Sequence, residues 1–369
     1  MELSGKDQNI SGPAEKQGLV NVNCVPLVSR TQKTGAKGQS QRSPQGRELP
    51  YLPVLIGTCN RPKHLRKLLD SLARCYGAEK TTVYLAVDAP FSQEVSKAHK
   101  KVLHICKKKY PFRKIIIIQR KKNLGPAKNF YLARERIFRF SHSLILLEDD
   151  NVVAKNFLLF MNQANFCFVA DPRCYAICAY HLKDEVRRKS AADIYRVFNF
   201  AGWGVVLFRD RAPQQVPRFP HPPNPVFLNP RKLYICLRFA PHIFRIYMEA
   251  YLRGVSHTDI EFSLYGLARG LYCVYPTLTK TINRGFDGTG HRCSDQQIEL
   301  PKKFTSQSQK SFVFGPDPDT DLFYLKQNAA WHFRNQGIRC YRIFSLLVRY
   351  LYHSLRGHLA GSMGLLANP

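Results

Sequence analysis

From Leu49 onward the chain alternates short apolar runs with stretches of helical spacing. Leu52-Pro53-Val54-Leu55-Ile56-Gly57-Thr58 is a strand-type run ending in Cys59-Asn60-Arg61-Pro62. Between Lys63 and Arg74, Leu65, Leu68, Leu69 and Leu72 recur on one helical face, and Pro62 after a polar cap suits a first helical position. The pattern then repeats. Thr81–Val87 predicts a strand ending at Asp88, with a Lys-rich helix from Ser92 to about Lys109. Lys114–Gln119 predicts a third strand, followed by Asn123-Leu124-Gly125-Pro126 and a helix to about Phe140. Leu144–Leu147 predicts a fourth, running into Glu148-Asp149-Asp150. Four apolar strands alternating with amphipathic helices imply right-handed crossovers and an α/β fold, with a mostly parallel sheet covered on both faces. Ligands of such sheets bind beyond the carboxyl ends of the strands. Asn60-Arg61, Asp88, Asn123 and the acidic triplet all fall there.

The second half is less regular. The pattern predicts a helix over 156–170, a strand over 175–180, the loop Ala201-Gly202-Trp203-Gly204 and a strand over Val205–Phe208. Pro213 to Pro230 reads as irregular and exposed, followed by a helix over 255–269 and a strand over Leu271–Tyr275. A Gly-rich loop, Gly285-Phe286-Asp287-Gly288-Thr289-Gly290-His291, comes next. Four segments follow: a basic, disordered lead-in over 1–48, a regular half over 49–210, a less regular half over 211–320, and a basic amphipathic helical tail over 321–369.

Composition narrows the partners. With 56 Lys and Arg against 26 Asp and Glu, the 369-residue chain carries a formal charge of +30. Residues 61–140 alone hold 21 basic and five acidic residues. An apolar share of 44% excludes a wholly disordered chain. The charge asks for nucleic acid, an anionic lipid surface or a phosphate-bearing substrate. No run of 18 apolar residues exists and the first residues lack a signal-type apolar stretch, so a cytoplasmic protein, peripheral on a membrane surface, is expected. The 11 cysteines are odd in number and lie mostly in apolar runs, which suggests reduced thiols rather than a disulfide framework. In the tail, Ile343, Leu346, Leu347, Tyr350 and Leu351 recur at helical spacing beside Arg342, Arg349 and Arg356. That pattern suits an interfacial helix or one packed on its own domain.

Glu148-Asp149-Asp150 is the sharpest chemical signal. Adjacent carboxylates repel unless a cation is present, and Mg²⁺ or Mn²⁺ needs only one or two of them when phosphate and water complete the shell. The same triplet could instead cap the following helix.

These residues resemble the GT-A-fold, nucleotide-sugar-dependent glycosyltransferases. Pro53–Pro62, and Leu146-Leu147-Glu148-Asp149-Asp150 followed by Phe157 and Asp171-Pro172, resemble the N-acetylglucosaminyltransferase I family. Asn283–Cys293 is closer to bacterial polysaccharide glycosyltransferases of that fold. The resemblance covers roughly residues 50 to 295, and it implies that 49–210 is a nucleotide-sugar-binding half and 211–320 an acceptor-binding half. It implies that Thr58, Cys59, Asn60 and Arg61 line the donor pocket with Asp88, Asn123 and Asp149. Lys128 reaches the diphosphate or is simply solvated. Asp150 is the direct metal ligand, with Glu148 assisting. Gly288, Thr289, Gly290 and His291 form a closing loop, in which His291 contacts metal or phosphate or is structural.

The resemblance also implies a base at the head of a second-half helix. Asp259 occupies that place, with Glu261 in reserve, although Ser256-His257-Thr258-Asp259 is also an ordinary capping pattern. Gly202, Trp203 and Gly204 floor the acceptor pocket, or Trp203 is a core residue. The implied activity is inverting, metal-dependent transfer from a UDP-sugar to a hydroxyl of a glycan or lipid-linked acceptor. Relatives of this kind in eukaryotes are anchored in the secretory pathway, which leaves its lumen as the other compartment if an anchor is missing. A nucleic-acid-binding protein, or a catalytically inactive sugar-nucleotide binder, remains the alternative. No recognised nucleic-acid module accompanies the basic patches, and the triplet would repel a phosphate backbone.

Overall fold

A computed structural model describes residues 51–181, 192–212, 224–255, 257–288, 307–315 and 317–335, with isolated positions at 304 and between 345 and 352. Four strands, β1 (Val54–Thr58), β2 (Thr82–Val87), β3 (Lys114–Gln119) and β4 (Ser143–Glu148), run parallel, with β1 between β2 and β4. Three helices connect them: α1 (Pro62–Ala73), α2 (Ser96–Cys106) and α3 (Pro126–Phe138). The first-half pattern therefore folds as read, except that α2 begins at Ser96 rather than Ser92. Leu65, Leu68, Leu69 and Leu72 are fully buried on α1, each contributing about 1.5–3 kcal/mol relative to exposure. Gly57 has a packing reason: a Cβ there would lie 2.4 Å from the Phe130 ring, so its absence lets α3 settle onto β1.

The sheet continues through the second half. β6 (Cys174–Cys178), β7 (Ile194–Val197), β8 (Val205–Phe208) and β9 (Tyr272–Pro276) extend it to eight strands in the order β3-β2-β1-β4-β8-β6-β9-β7. β8 is antiparallel to both β4 and β6, so the sheet is mixed where it leaves the first half. A separate two-stranded ribbon pairs β5 (Asn151–Val153) with β10 (Thr281–Asn283). It places the segment after Asn283 directly over the acidic triplet. These three-residue strands, and β7, are too short to carry a readable period.

α4 (Phe157–Phe168) is apolar on most of its surface because it is buried beneath the sheet. The carbonyl of its cap, Val169, and those of Asp171 and Cys174 in the turn that follows accept from the buried Arg211 guanidinium, the last two at 2.7 and 2.8 Å. A cation there also suits the negative end of the helix dipole.

Two expectations need correction. The stretch from Pro213 to Pro230 was expected to be irregular throughout, but residues 224–230 open two helices, α5 (Pro225–Leu228) and α6 (Pro230–Phe239). Asn224 and Asn229 cap them by accepting from Val226 N and Lys232 N, and each proline takes the first helical position, where its missing N–H costs nothing. These helices pack with α7 (Pro241–Leu252) and α8 (Thr258–Arg269) around Val226, Phe244, Tyr247 and Met248. Cysteine usage is the second correction. Seven described cysteines are free, but Cys167 is disulfide-bonded, so the chain is not wholly a reduced-thiol protein.

α9 (Pro318–Asn335) is docked on β7 through Arg196, whose guanidinium meets Asp321 at 2.7 and 2.9 Å. Most of the tail pattern lies outside the described residues. Leu347 packs against the α5–α8 cluster, while Val348 and Tyr352 are exposed. Among the described residues no helix is long and apolar enough to cross a membrane.

Candidate active site

The carboxyl ends of β1 and β4 lie side by side, because Gly57 pairs with Glu148 in register. That pairing brings Thr58 and Arg61 to the triplet. Thr58 Oγ1 donates to Asp149 Oδ2 at 2.8 Å, and Arg61 Nη2 donates to Asp150 Oδ2 at 2.7 Å. Arg61 Nη1 is 3.6 Å from Asp149 Oδ1. The other oxygen of Asp150 accepts from Asn151 and Asn283, each at 3.3 Å. Above this cluster lies Gly285, where a Cβ would come within 2.1 Å of Asp150 Oδ2. Only a glycine permits so close an approach.

Asp259 joins the same cleft from α8. Its Oδ2 accepts from Gly202 N at 3.2 Å, and a Cβ on Gly202 would stand 2.9 Å from Oδ1. Trp203 stands edge-on to Tyr180 at 4.7 Å and to Phe286 at 5.7 Å between ring centroids. Gly204, at φ +83°, takes a left-handed turn into β8, and a Cβ there would strike Thr281 Cγ2 at 2.6 Å. Both glycines flanking the indole are therefore required by close approach.

Electrostatics follow from crowding. Burial pushes the Glu148 carboxyl well above the usual carboxylate range, and the charges of Asp150, Asp259 and Asp149 push it further. Burial raises Asp149 to about 7, with the Arg61 charge and the Thr58 hydrogen bond opposing. Burial raises Asp259 to about 6 against the Gly202 N–H, and raises Glu261 to about 7. Glu148 and Asp259 keep a partial opening to solvent while atoms surround them on most sides, which is the situation of groups at the bottom of a cleft. Burial works against the Arg61 charge, but Asp149 and Asp150 outweigh it and raise its pKa.

The divalent cation implied by the resemblance can be tested against this chemistry. The donors are hard carboxylate oxygens, and four acidic side chains face one guanidinium, so the cluster favours added positive charge. Among the described residues no three His, Cys, Asp or Glu side chains form a complete cage, and Mg²⁺ or Mn²⁺ bound with phosphate and water needs none. Arg61 Nε is buried with no partner among the described residues, which suits an incoming anionic group. The residues present fit a metal–diphosphate pair.

The remaining residues read from the sequence are placed differently. Asp88 is buried and turned to backbone, accepting from Ala89 N at 3.0 Å and Leu124 N at 2.9 Å. It pins the β3–α3 loop to the end of β2. Cys59 Sγ donates to Ala89 O, and burial beside Asp88 and Asp149 pushes its thiol up to about 11. Asn60 is half-buried in the β1–α1 turn, Asn123 Nδ2 donates to Ala89 O at 2.5 Å, and Lys128 is exposed on the first turn of α3. Glu261 lies one half-turn beyond Asp259 on α8. Gly288 is at φ +76°, whereas Thr289, Gly290 and His291 lie outside the described residues. Sequence reasoning missed Tyr180, Asn283, Gly285 and Phe286 as parts of the site. The β5–β10 ribbon brings the last three in, and its pairing left no periodic signal.

A model of the GNT-I family matches residues 19–224, more than half of the chain. No curated protein matches it. Among solved structures the chain is similar to the mannosyltransferase PcManGT from Pyrobaculum calidifontis, solved with GDP-Man and Mn²⁺. That match has 15% identity and a TM-score of 0.33, and covers 44% of this chain and 46% of that one. It is also similar to TarS of S. aureus, at 12% identity and a TM-score of 0.32, over 81% of this chain and 42% of that one. The matches thus span less than half the length of these two structures.

Proposed function

The chain belongs to the GNT-I family of glycosyltransferases, and on that premise we propose that it is a metal-dependent, inverting enzyme. It moves a sugar from a UDP-sugar to a hydroxyl of a glycan or lipid-linked acceptor. The observation that carries this reading is the convergence of Asp259, from the second half, on the triplet at the end of β4.

Asp150, with Glu148 beside it, would hold Mn²⁺ or Mg²⁺, which when bound supplies positive charge to the departing diphosphate. Arg61, already between Asp149 and Asp150, lies where it can meet the same phosphates with its orphaned Nε side. Thr58 fixes the Asp149 rotamer, so the cluster is organised before the donor arrives. Gly285 lies directly over it. Asp259 takes the proton of the acceptor hydroxyl as its oxygen attacks the anomeric carbon from the face opposite the leaving group. The Gly202 N–H holds the carboxylate in place for that transfer. Trp203, between Tyr180 and Phe286, offers an apolar face against which a sugar ring can lie. Asp88 serves the donor indirectly, by positioning the loop that carries Asn123.

The test is a screen of UDP- and GDP-sugars for turnover with Mn²⁺ and with EDTA, followed by determination of the product anomer. Turnover of a UDP-sugar, abolished by EDTA and with inverted product, is expected. Equal turnover in EDTA, or a product of retained configuration, would overturn the reading.

A further inference from the structure

The cleft leaves most of the positive charge unexplained. Thirteen exposed lysines and arginines lie between residues 91 and 140. Against them stand one exposed acid, Glu94, and Glu135, which is paired with Arg134 at 3.0 Å. Topology gathers them, because β3 is an edge of the eight-stranded sheet. Lys107-Lys108-Lys109 end α2 just before that edge strand, and Lys121-Lys122 follow it. Large apolar side chains stand exposed around it: Ile117 at 36% on β3 itself, Phe91 at 62% in the loop that leaves β2, and Leu132 at 39% and Phe140 at 62% on and just after α3, which packs on the opposite face of the sheet from α2. Along α3 and its final turn, Lys128, Leu132, Arg136 and Phe140 recur every four residues, so basic and apolar groups share one exposed line. Ala133 and Ile137 fill the buried face of the same helix.

We propose that this margin, the β3 edge of the described sheet with the flanks of α2 on one face and α3 on the other, seats the protein on an anionic lipid surface. Lysines near such a surface are attracted to it, and long basic side chains can reach headgroups while their neighbours enter the apolar boundary. The exposed Leu132, Ile117 and Phe140 gain only from an apolar phase. A polynucleotide would use the charges and stack on aromatic rings, leaving the aliphatic groups idle. Strand pairing with a second copy is opposed by the basic residues at both ends of β3. The inference concerns where the cleft works and is independent of what it transfers. The carboxyl ends of β1–β4 would then open beside the lipid.

Vesicle co-sedimentation of the full chain tests it. Vesicles with about 30 mol% phosphatidylserine should bind at least about tenfold more protein than phosphatidylcholine alone, with binding lost at high salt. Combined Lys107→Glu, Lys108→Glu and Lys109→Glu should lower binding about tenfold or more. Arg231→Glu, Arg238→Glu and Arg253→Glu, the same charge change on exposed second-half positions, should lower it less than about threefold. Leu132→Ser with Phe140→Ser should lower it several-fold at unchanged charge. Phe91→Ser, in a loop, gives the same readout if that pair melts early. Three results would overturn the proposal: no preference for anionic vesicles, equal loss from the two charge triplets, or full binding by both apolar variants. Displacement of the protein from vesicles by a polynucleotide, with all three apolar positions silent, would assign the margin to nucleic acid instead.

Discussion

The wall at the ends of β1 and β4 holds Arg61, Asp149 and Asp150 in one paired cluster with Glu148 crowded against it. The adjoining wall holds the Asp259 carboxylate beside Trp203, Tyr180 and Phe286. The first wall is built of charge that needs a counter-charge. The second is built of apolar surface around one proton acceptor. Under the proposed function the donor diphosphate belongs to the first and the acceptor sugar to the second, which predicts that damage to each will be felt in different kinetic terms.

The largest effect separates them outright. Asp150→Ala should weaken Mn²⁺-dependent UDP binding by about 100-fold or more, measured calorimetrically, while leaving acceptor binding intact. On the other wall, Trp203→Ala should raise the acceptor KM about tenfold with little change in donor affinity, since stacking of this size is worth about 1–2 kcal/mol. Equal effects of the two variants on donor affinity would erase the distinction. A pH profile sharpens it further. Burial raises Asp259 to about 6, and the group must be ionised to accept a proton. kcat/KM should therefore rise about tenfold per pH unit below about 6 and level off above it. The smallest effect is on stability. Glu148 is raised by burial and by its acidic neighbours, so its ionised form is the costly one in the folded protein. That cost grows as pH rises above the ordinary Glu range. Glu148→Gln should raise Tm by a few degrees at pH 8 and by less at pH 5, in protein free of metal.

The same contrast separates what the sequence revealed from what it hid. The first wall was legible because each of its groups ends a strand of a regular crossover pattern, and such ends converge by geometry. Arg61 and the triplet needed no long-range information to be placed together. Asp88 shows the limit: its position at a strand end was readable, but not that two backbone N–H groups already occupy it. The second wall depends on contacts between residues 57 and 78 positions apart, Gly202 with Asp259 and Trp203 with Thr281. Asp259 was reached through resemblance. Gly285 and Phe286 follow a three-residue strand whose partner is equally short. The helices after Pro225 and Pro230 could have been read from their Asn-Pro starts, which prolines in a crowded stretch disguised as loop signals.

The central claim is that Asp259 takes the acceptor proton while the triplet manages the donor. It is tested most directly by the acceptor-dependent rate of UDP release from Asp259→Asn at saturating donor and Mn²⁺. The amide keeps the size of the side chain but cannot take up a proton at neutral pH. The account predicts a fall of about 10²–10⁴-fold in that rate, with UDP affinity unchanged. Retention of the wild-type rate would contradict it.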